Sequence, residues 1–404
     1  MSDTIGIYID IDDAAHLVAR CRLVTKRRHS TSIFQYDDTW LKYEGRFSLD
    51  PENLPLSSAP IYTRTDKSCL PGAIRDTAPD RWGQKLIQRA HRKQGEDRQL
   101  TEFDYLLGMN DDTRIGALRY KLPDEVNFNH DIRGYRVPPL IQLPALLDAA
   151  KAVGNGRETD AELRMLLNEG SPLGGARPKS AIQDGDDLAI AKFPKSDDGR
   201  SIAHGEVLAL TLAREAGISA ATARIETVAE RNVSIIKRFD RRDGQRIPFL
   251  SAMSLLGKTD GEGGTYTEIA EMIRKHSSAP TEDLHELFRR IVFNVVISNH
   301  DDHLRNHGFL HDAGEQWRLS PAYDLNPVPG FQTDGRLETA ISDKGDEASL
   351  ELALDACAHF KLKPDEAKVI IAGIKAVAAN WQQAASRLGM SAADQKIYAS
   401  AFTG

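Results

Sequence analysis

The sequence predicts an α+β fold made of three successive parts, and three observations carry that prediction. In the first third, Ile5, Ile7 and Ile9 alternate with Gly6, Tyr8 and Asp10, the period of a half-buried strand. In the middle, strand-like runs bracket one helix in the order strand, strand, helix, strand, strand, which suits a small antiparallel sheet with a packed helix. In the last third, Leu284, Leu287, Phe288, Ile291, Val292, Val295 and Val296 recur at the three- and four-residue steps of one helix face.

Taken in order, the strand over residues 5–9 is followed by short apolar pieces at Ile33-Phe34 and Trp40-Leu41. Trp82, Leu86, Ile87 and Ala90 then mark a helix over 80–95. The Asn-, Pro- and charge-rich stretch 126–144 reads as a boundary and sets a β-rich part at 1–125. The next part, 140–245, opens with helices near 143–153 and 160–167 and a glycine-rich turn at 170–179. Strands at 180–183 and 188–193 come next, then a helix over 204–216 stopped by Gly217, and strands at 222–228 and 234–239. From 246 to 404 the pattern is helical. Thr281 is expected to cap the long apolar-faced helix, and a single helix is expected from Pro364 to about 388, with Gly389 ending it.

The 404 residues suffice for more than one core, and 41% hydrophobic with 27% charged residues is the balance of a globular protein. A formal charge of −7 gives no support for wholesale nucleic-acid binding. Three dispersed cysteines (Cys21, Cys69, Cys357) argue against a disulfide framework or a zinc ribbon. With no signal-peptide pattern and no apolar run of the roughly 18 residues a span requires, the expected location is the cytoplasm, away from membranes.

The chemistry concentrates in Ser298-Asn-His-Asp-Asp-His-Leu-Arg-Asn306, just past the long helix. Asp301 and Asn306 stand at D-x-x-x-x-N spacing, that of a protein-kinase catalytic loop. Phosphoryl transfer needs a carboxylate within reach of the attacking hydroxyl and oxygen ligands for Mg²⁺, and one tight loop can supply both. Residues 308–311 and 316–320 flank a polar turn and read as a hairpin, which would return Asp324 to the loop bearing Asn306. A solvated loop whose Asp and Asn residues make turns is the plain alternative. A divalent-metal hydrolase built on His300, Asp301 and His303 is another. It would need further ligands, for which His204, His276 and His285 are the scattered candidates.

Upstream, Gly174 and Gly175 in Ser171-Pro-Leu-Gly-Gly-Ala-Arg-Pro-Lys179 would let backbone N–H groups approach phosphate, although the loop matches neither a Walker A motif nor G-x-G-x-x-G. Lys192 sits in an apolar strand and Glu206 opens the next helix, the elements of a strand-lysine and helix-glutamate pair. Ile235-Ile-Lys-Arg-Phe-Asp-Arg-Arg242 then begins as a buried strand and ends basic. Each feature alone has an ordinary structural explanation. Their order, glycine loop, Lys192, Glu206, Asp301/Asn306 and Asp324, is the one a bilobal kinase requires.

Together, Gly174-Gly-Ala-Arg-Pro-Lys179, Lys192-Phe-Pro194, Arg238-Phe-Asp-Arg241, Asn299-His-Asp-Asp-His-Leu-Arg-Asn306 and Pro321-Ala-Tyr-Asp-Leu325 resemble the HipA-like kinases, toxins of type II toxin–antitoxin modules. Phe34-x-Tyr-x-x-x-Trp-Leu41, Ala78-Pro-Asp-Arg-Trp-Gly83 and Gly116-Ala-Leu-Arg119 extend the resemblance to that family's accessory domain. The resemblance implies a bilobal protein-kinase-like fold behind a β-rich N-terminal subdomain, with an all-helical C-terminal lobe. It implies a serine/threonine kinase using ATP and Mg²⁺, with Asp301 as base and Asn306 and Asp324 as metal ligands. Gly174, Gly175, Ala176, Arg177, Pro178, Lys179, Lys192 and Glu206 would serve the phosphates. Lys237, Arg238 and Phe239 would hold the adenine, with His303 and Tyr323 beside the nucleotide. Aminoacyl-tRNA synthetases are among that family's substrates, and a small helix-turn-helix antitoxin (HipB-like) joins its kinases to operator DNA. A non-catalytic co-repressor scaffold is the competing role. The family often carries an autophosphorylated serine two residues before the glycine pair. Pro172 stands there in this sequence, and the switch is carried over only to Ser171.

Overall fold

The structure is a computed structural model that describes residues 3–11, 14–26, 29–65, 67–95, 98–128, 137–169, 177–332 and 334–402. Ser171, Gly174, Gly175 and Ala176 lie outside the described residues. The chain divides into two compact units: Met1–Lys195 with Asp240–Leu250 and Gly257–Asp260, and Ser196–Phe239 with Ser251–Leu256 and Gly261–Gly404.

The first unit begins with strands β1 (Thr4–Ile11), β2 (Ala14–Lys26), β3 (His29–Tyr36), β4 (Ile61–Thr63) and β5 (Arg119–Lys121). They form an antiparallel sheet in the order β4-β3-β2-β1-β5. Ile5, Ile7 and Ile9 are buried as their alternation requires. A register shift between Ile7 and Tyr8 bends the strand locally. Trp40 is buried on a short helix, α1 (Asp38–Lys42), and its Nε1 donates to the Phe47 carbonyl at 3.2 Å. Helices α2 (Gly72–Arg75), α3 (Arg81–Lys93) and α4 (Glu102–Leu107) follow, and then α5 (Leu143–Asn155) and α6 (Asp160–Glu169). Strands β6 (Lys179–Asp184) and β7 (Asp187–Lys192) make the expected hairpin, with Gly185 at φ +62° in its turn. A small hairpin of β10 (Arg241–Arg242) and β11 (Gln245–Arg246) completes the unit.

The second unit opens with α7 (Ile202–Glu215), which packs on the hairpin of β8 (Ala223–Val228) and β9 (Arg231–Lys237). Further along the chain come the short strand β12 (Phe249–Ser251), α8 (Ala252–Leu255), the two-residue strand β13 (Gly264–Thr265), α9 (Tyr266–His276) and α10 (Pro280–Val296). The apolar stripe of α10 is buried throughout, with Leu284, Leu287, Phe288, Ile291 and Val292 at 0% exposure. Thr281 is not its cap. Ala279 holds that position and Pro280 is the first helical residue, because proline's fixed φ already matches the helix and its missing N–H leaves no donor to satisfy. Strands β14 (Gly308–Ala313) and β15 (Gln316–Leu319) form the expected hairpin, and β16 (Thr339–Ala340) pairs in parallel with β13. Helix α11 (Leu350–Asp355) precedes the C-terminal run. That run is not one helix but α12 (Pro364–Ala378) and α13 (Trp381–Arg387), followed by α14 (Ala392–Tyr398). The break falls where Asn380 turns its side-chain amide onto the Ala376 carbonyl at 3.0 Å and takes the helix's acceptor for itself.

Candidate active site

The second unit gathers its chemistry beyond the C-terminus of α10. The helix stops as Ser298 enters the left-handed region at φ +53°, and Asn299 follows, buried. Asp301, Asp302 and His303 then lead into a single 3-10 turn, Leu304–Asn306, and directly into β14. Asn306 closes this loop on itself: its N–H donates to the His303 carbonyl at 2.8 Å, and its side-chain Nδ2 donates to the Asp301 carbonyl at 2.8 Å. Its amide nitrogen is thereby committed to the loop. That is why the five-residue spacing of Asp301 and Asn306 matters: it is the span one 3-10 turn can bridge with one amide.

The β14–β15 hairpin brings the chain back. The Ser320 N–H donates to the Gly308 carbonyl at 2.8 Å. Past Pro321-Ala322, the Tyr323 hydroxyl donates to the Arg305 carbonyl at 2.5 Å. Asp324 follows at φ +55°, a conformation that costs a non-glycine residue about 1–3 kcal/mol and clusters at functional sites. Two bonds from Asn326 Nδ2 hold it there, to the Asp324 carbonyl at 3.1 Å and to its carboxylate at 3.0 Å. The Asn326 N–H donates to Asn299 Oδ1 at 3.1 Å, and the Val328 N–H donates to the Ser298 carbonyl at 3.0 Å. The segment after Asp324 is thus sewn to the start of the loop that carries Asp301.

Electrostatics register the convergence. Asp301 is open to solvent on one side. The protein packed beneath it still pushes its carboxyl above the usual range; His303 opposes that shift, and the Asp324 and Glu338 carboxylates add to it. Glu338 is brought in by its N–H, which donates to the His300 carbonyl at 3.1 Å. Next to Asp301 lies a buried carboxyl that the sequence did not single out. Burial pushes Asp302 up to about 7, although its oxygens accept from the Tyr266 hydroxyl and from the Thr339 N–H. His307 is also buried. Desolvation and the nearby Arg290 guanidinium press its imidazole down to about 3, and it meets the Asp302 carbonyl through Nε2 at 3.2 Å. Neither group had a local signal, because each is defined by partners far along the chain.

The other expected residues are distributed between the units. In the second unit, Phe239 stands just past the end of β9 with its ring 5.3 Å from that of Tyr323, an aromatic pair beside Asp324. Lys237 is exposed, Arg238 is buried, and Glu206 is buried on α7, where its carboxylate accepts from Ser234 at 3.5 Å. His204 bonds Ser201 through Nδ1 at 2.8 Å, and His300 meets the Arg336 carbonyl at 2.9 Å. In the first unit, Lys192 ends β7 opposite Lys179. Arg177 is half-buried and Pro178 is buried. Lys179 is 1% exposed, and its ammonium pairs with Asp80 at 2.8 Å.

Among the described residues, no group of three or more His, Cys, Asp or Glu side chains is arranged to hold a metal ion by itself. Mg²⁺ makes no such demand, since it is usually bound through one or two carboxylates together with phosphate oxygens. Asp324 and the amide oxygen of Asn306 are hard oxygen donors of the kind that ion takes, and they fit it.

The fold defines a class. Over 99% of this chain and 95% of the other, the structure superposes with a TM-score of 0.70 and 15% identity on a chain from the solved complex of the Shewanella oneidensis MR-1 toxin–antitoxin system HipA, HipB and its operator DNA. The HipA-like C-terminal domain matches residues 171–381, more than half of the sequence, and the HipA N-terminal domain matches residues 20–121. The chain belongs to the HipA-like family. Its relatives include two Sinorhizobium fredii (strain NBRC 101917 / NGR234) proteins. "Putative kinase Y4mE" is 28% identical over 74% of this chain and 73% of its own length, and "Putative kinase Y4dM" is 28% identical over 39% and 40%. Among the described residues, no helix is long and apolar enough to cross a membrane.

Proposed function

We propose that this protein is a serine/threonine protein kinase that transfers the γ-phosphoryl group of ATP to a protein hydroxyl. The observation that carries the reading is the meeting of Asp301, Asn306 and Asp324 in one loop-and-hairpin assembly, with Asn306 bonded to the Asp301 backbone and the Asp324 carboxylate close enough to raise the Asp301 carboxyl. Asp301 accepts the proton of the acceptor hydroxyl as the new O–P bond forms and the bond to the ADP leaving group breaks. Asn306 and Asp324 would hold Mg²⁺, which supplies charge neutralisation on the phosphates. Phe239 and Tyr323 offer apolar faces for the nucleotide, and Lys237, Arg238, His303 and Glu206 stand on the same unit. Lys192 and residues 174–177 would serve the phosphates, whereas the buried Lys179 is committed to Asp80. Most of the acceleration comes from position and preorganised charge, since phosphoryl transfer leaves the protein little covalent work.

In domain terms the reading gives an accessory subdomain over 1–125, a nucleotide-loop region over 140–245 and a catalytic lobe over 246–404, all working in the cytoplasm. Family membership and the fold shared with a HipA–HipB–DNA complex support a small helix-turn-helix antitoxin as partner, with operator DNA reached through it. A growth-arresting toxin role, with an aminoacyl-tRNA synthetase as substrate, extends the same reading, as does autophosphorylation at Ser171. The test is to incubate the protein with labelled ATP, Mg²⁺ and cell lysate, and to map the labelled residues. Labelled serine or threonine on a discrete protein supports the proposal. The absence of Mg²⁺-dependent label on any protein, this chain included, contradicts it.

A further inference from the structure

The two halves of the site, the Asp301 loop and the Asp324 segment, are joined by a largely buried chain of hydrogen bonds that the reaction does not itself use. Tyr266, at the start of α9, is 0% exposed, and its hydroxyl donates to the Asp302 carboxylate. Asn294, on the last turn of α10 and 2% exposed, donates through Nδ2 to the Tyr266 oxygen at 2.8 Å. Its Oδ1 accepts from Asn299 Nδ2 at 3.0 Å, and Asn299 is 1% exposed. Asn299 Oδ1 accepts the Asn326 N–H at 3.1 Å, and Asn326 Nδ2 closes on the Asp324 carboxylate at 3.0 Å.

Each link fixes the next. An amide whose nitrogen is spent on Tyr266 turns its oxygen toward Asn299, whose own oxygen takes the backbone N–H of Asn326 and so anchors the residue whose side chain closes on Asp324. Buried amides cost free energy unless both ends are satisfied, and apolar residues of similar volume would pack this helix end at least as well. Asn294 interrupts the apolar run Ile291-Val-Phe-Asn-Val-Val296, so its polarity sits where packing alone would favour a hydrocarbon. The left-handed backbone of Asp324 needs support from outside itself, and this chain ends on it.

We infer that Tyr266, Asn294 and Asn299 are positioning residues, which set the spacing between the Asp301 loop and Asp324 and so fix the geometry in which Asp324 meets a magnesium-nucleotide. The inference rests on the assignment of Asp324 proposed above. Partners that orient a metal ligand typically change metal affinity by about 10–100-fold when removed.

The test is the Mg²⁺ dependence of binding a fluorescent ATP analogue to the full-length chain, with thermal unfolding followed in parallel. Asn299→Ala should raise the Mg²⁺ concentration for half-maximal binding by about tenfold or more. Tyr266→Phe, which removes one hydroxyl of a fully buried residue, should raise it in the same direction by less. Where Asn299→Ala does not fold, Tyr266→Phe decides alone. Asp324→Asn is the control and should abolish the Mg²⁺ dependence. If that control behaves as stated while folded Asn299→Ala and Tyr266→Phe keep the wild-type Mg²⁺ curve, the relay is core packing and the inference is overturned by itself. If wild-type binding ignores Mg²⁺, the assignment of Asp324 fails and takes the inference with it.

Discussion

A carboxylate on a loop is ordinary until its neighbours are counted, and at the residue scale this protein is defined by the neighbours of Asp301. Asp324 and Glu338 add negative charge beside it, and Asn306 locks the backbone on which it stands. General-base assistance is worth about 10²–10⁴-fold. Asp301→Asn is therefore expected to lower phosphoryl transfer by that range while nucleotide binding persists, as rates and affinities measured on one preparation would reveal. The D-x-x-x-x-N spacing made Asp301 and Asn306 legible, and the hairpin pattern pointed Asp324 back toward them. Asp302, His307, Asn294 and Tyr266 were not legible, because their roles come from contacts made across α9, α10 and β16, which no local pattern records. Lys179 was read toward phosphate from its place after the glycine pair. The partner it meets, Asp80, is far upstream and could not be seen from the motif.

At the scale of elements, periodicity was a good guide wherever one face is buried. The stripe on α10 is the clearest case, and Phe288→Ala should cost about 3–5 kcal/mol of stability by chemical denaturation, the usual range for emptying a phenylalanine site. Turns were less legible. The β8–β9 hairpin turns at Ala229 and Glu230, both with positive φ, where asparagine or glycine would be expected. Replacing them with Asn-Gly should stabilise the protein by about 1–2 kcal/mol, seen as a higher Tm. Helix ends answer to pH. Asp104 in the capping box of α4 is buried enough to favour protonation. The Arg98 guanidinium and the Thr101 donors outweigh that burial and hold its carboxyl down to about 2. A carboxyl lowered on folding stabilises above its unfolded pKa, near 3.9, and loses that contribution as pH falls through the folded value. Asp104→Asn should thus cost about 1–2 kcal/mol at neutral pH, and the difference from wild type should vanish as the pH approaches about 2.

For the molecule as a whole, two family domains account for most of the chain, and the β-rich beginning is not a detachable ornament. Within the first unit, Asp80 caps α3 through the Gly83 N–H and also neutralises Lys179 at the head of β6, and Trp82 Nε1 donates to the Lys179 carbonyl at 3.2 Å. A lysine buried this deeply cannot lose its counter-ion cheaply. Asp80→Ala is expected to destabilise the protein by about 3–5 kcal/mol in denaturant titrations, whereas Asp80→Leu combined with Lys179→Met should recover much of the loss. The α+β character and the order of the parts were readable from hydrophobic period. The division into units was not, because residues 240–250 and 257–260 belong with the N-terminal segment, and only long-range contacts decide that.

The proposed assignment has Asp301 performing chemistry at a nucleotide site of which Asp324 is the metal-facing member. It is tested most directly by measuring Mg²⁺-dependent ATP binding and γ-phosphoryl transfer side by side for wild type, Asp301→Asn and Asp324→Asn. Asp301→Asn should bind Mg-ATP but transfer about 10²–10⁴-fold more slowly, and Asp324→Asn should lose both. Transfer at the wild-type rate by Asp301→Asn, or intact Mg-ATP binding by Asp324→Asn, would contradict it.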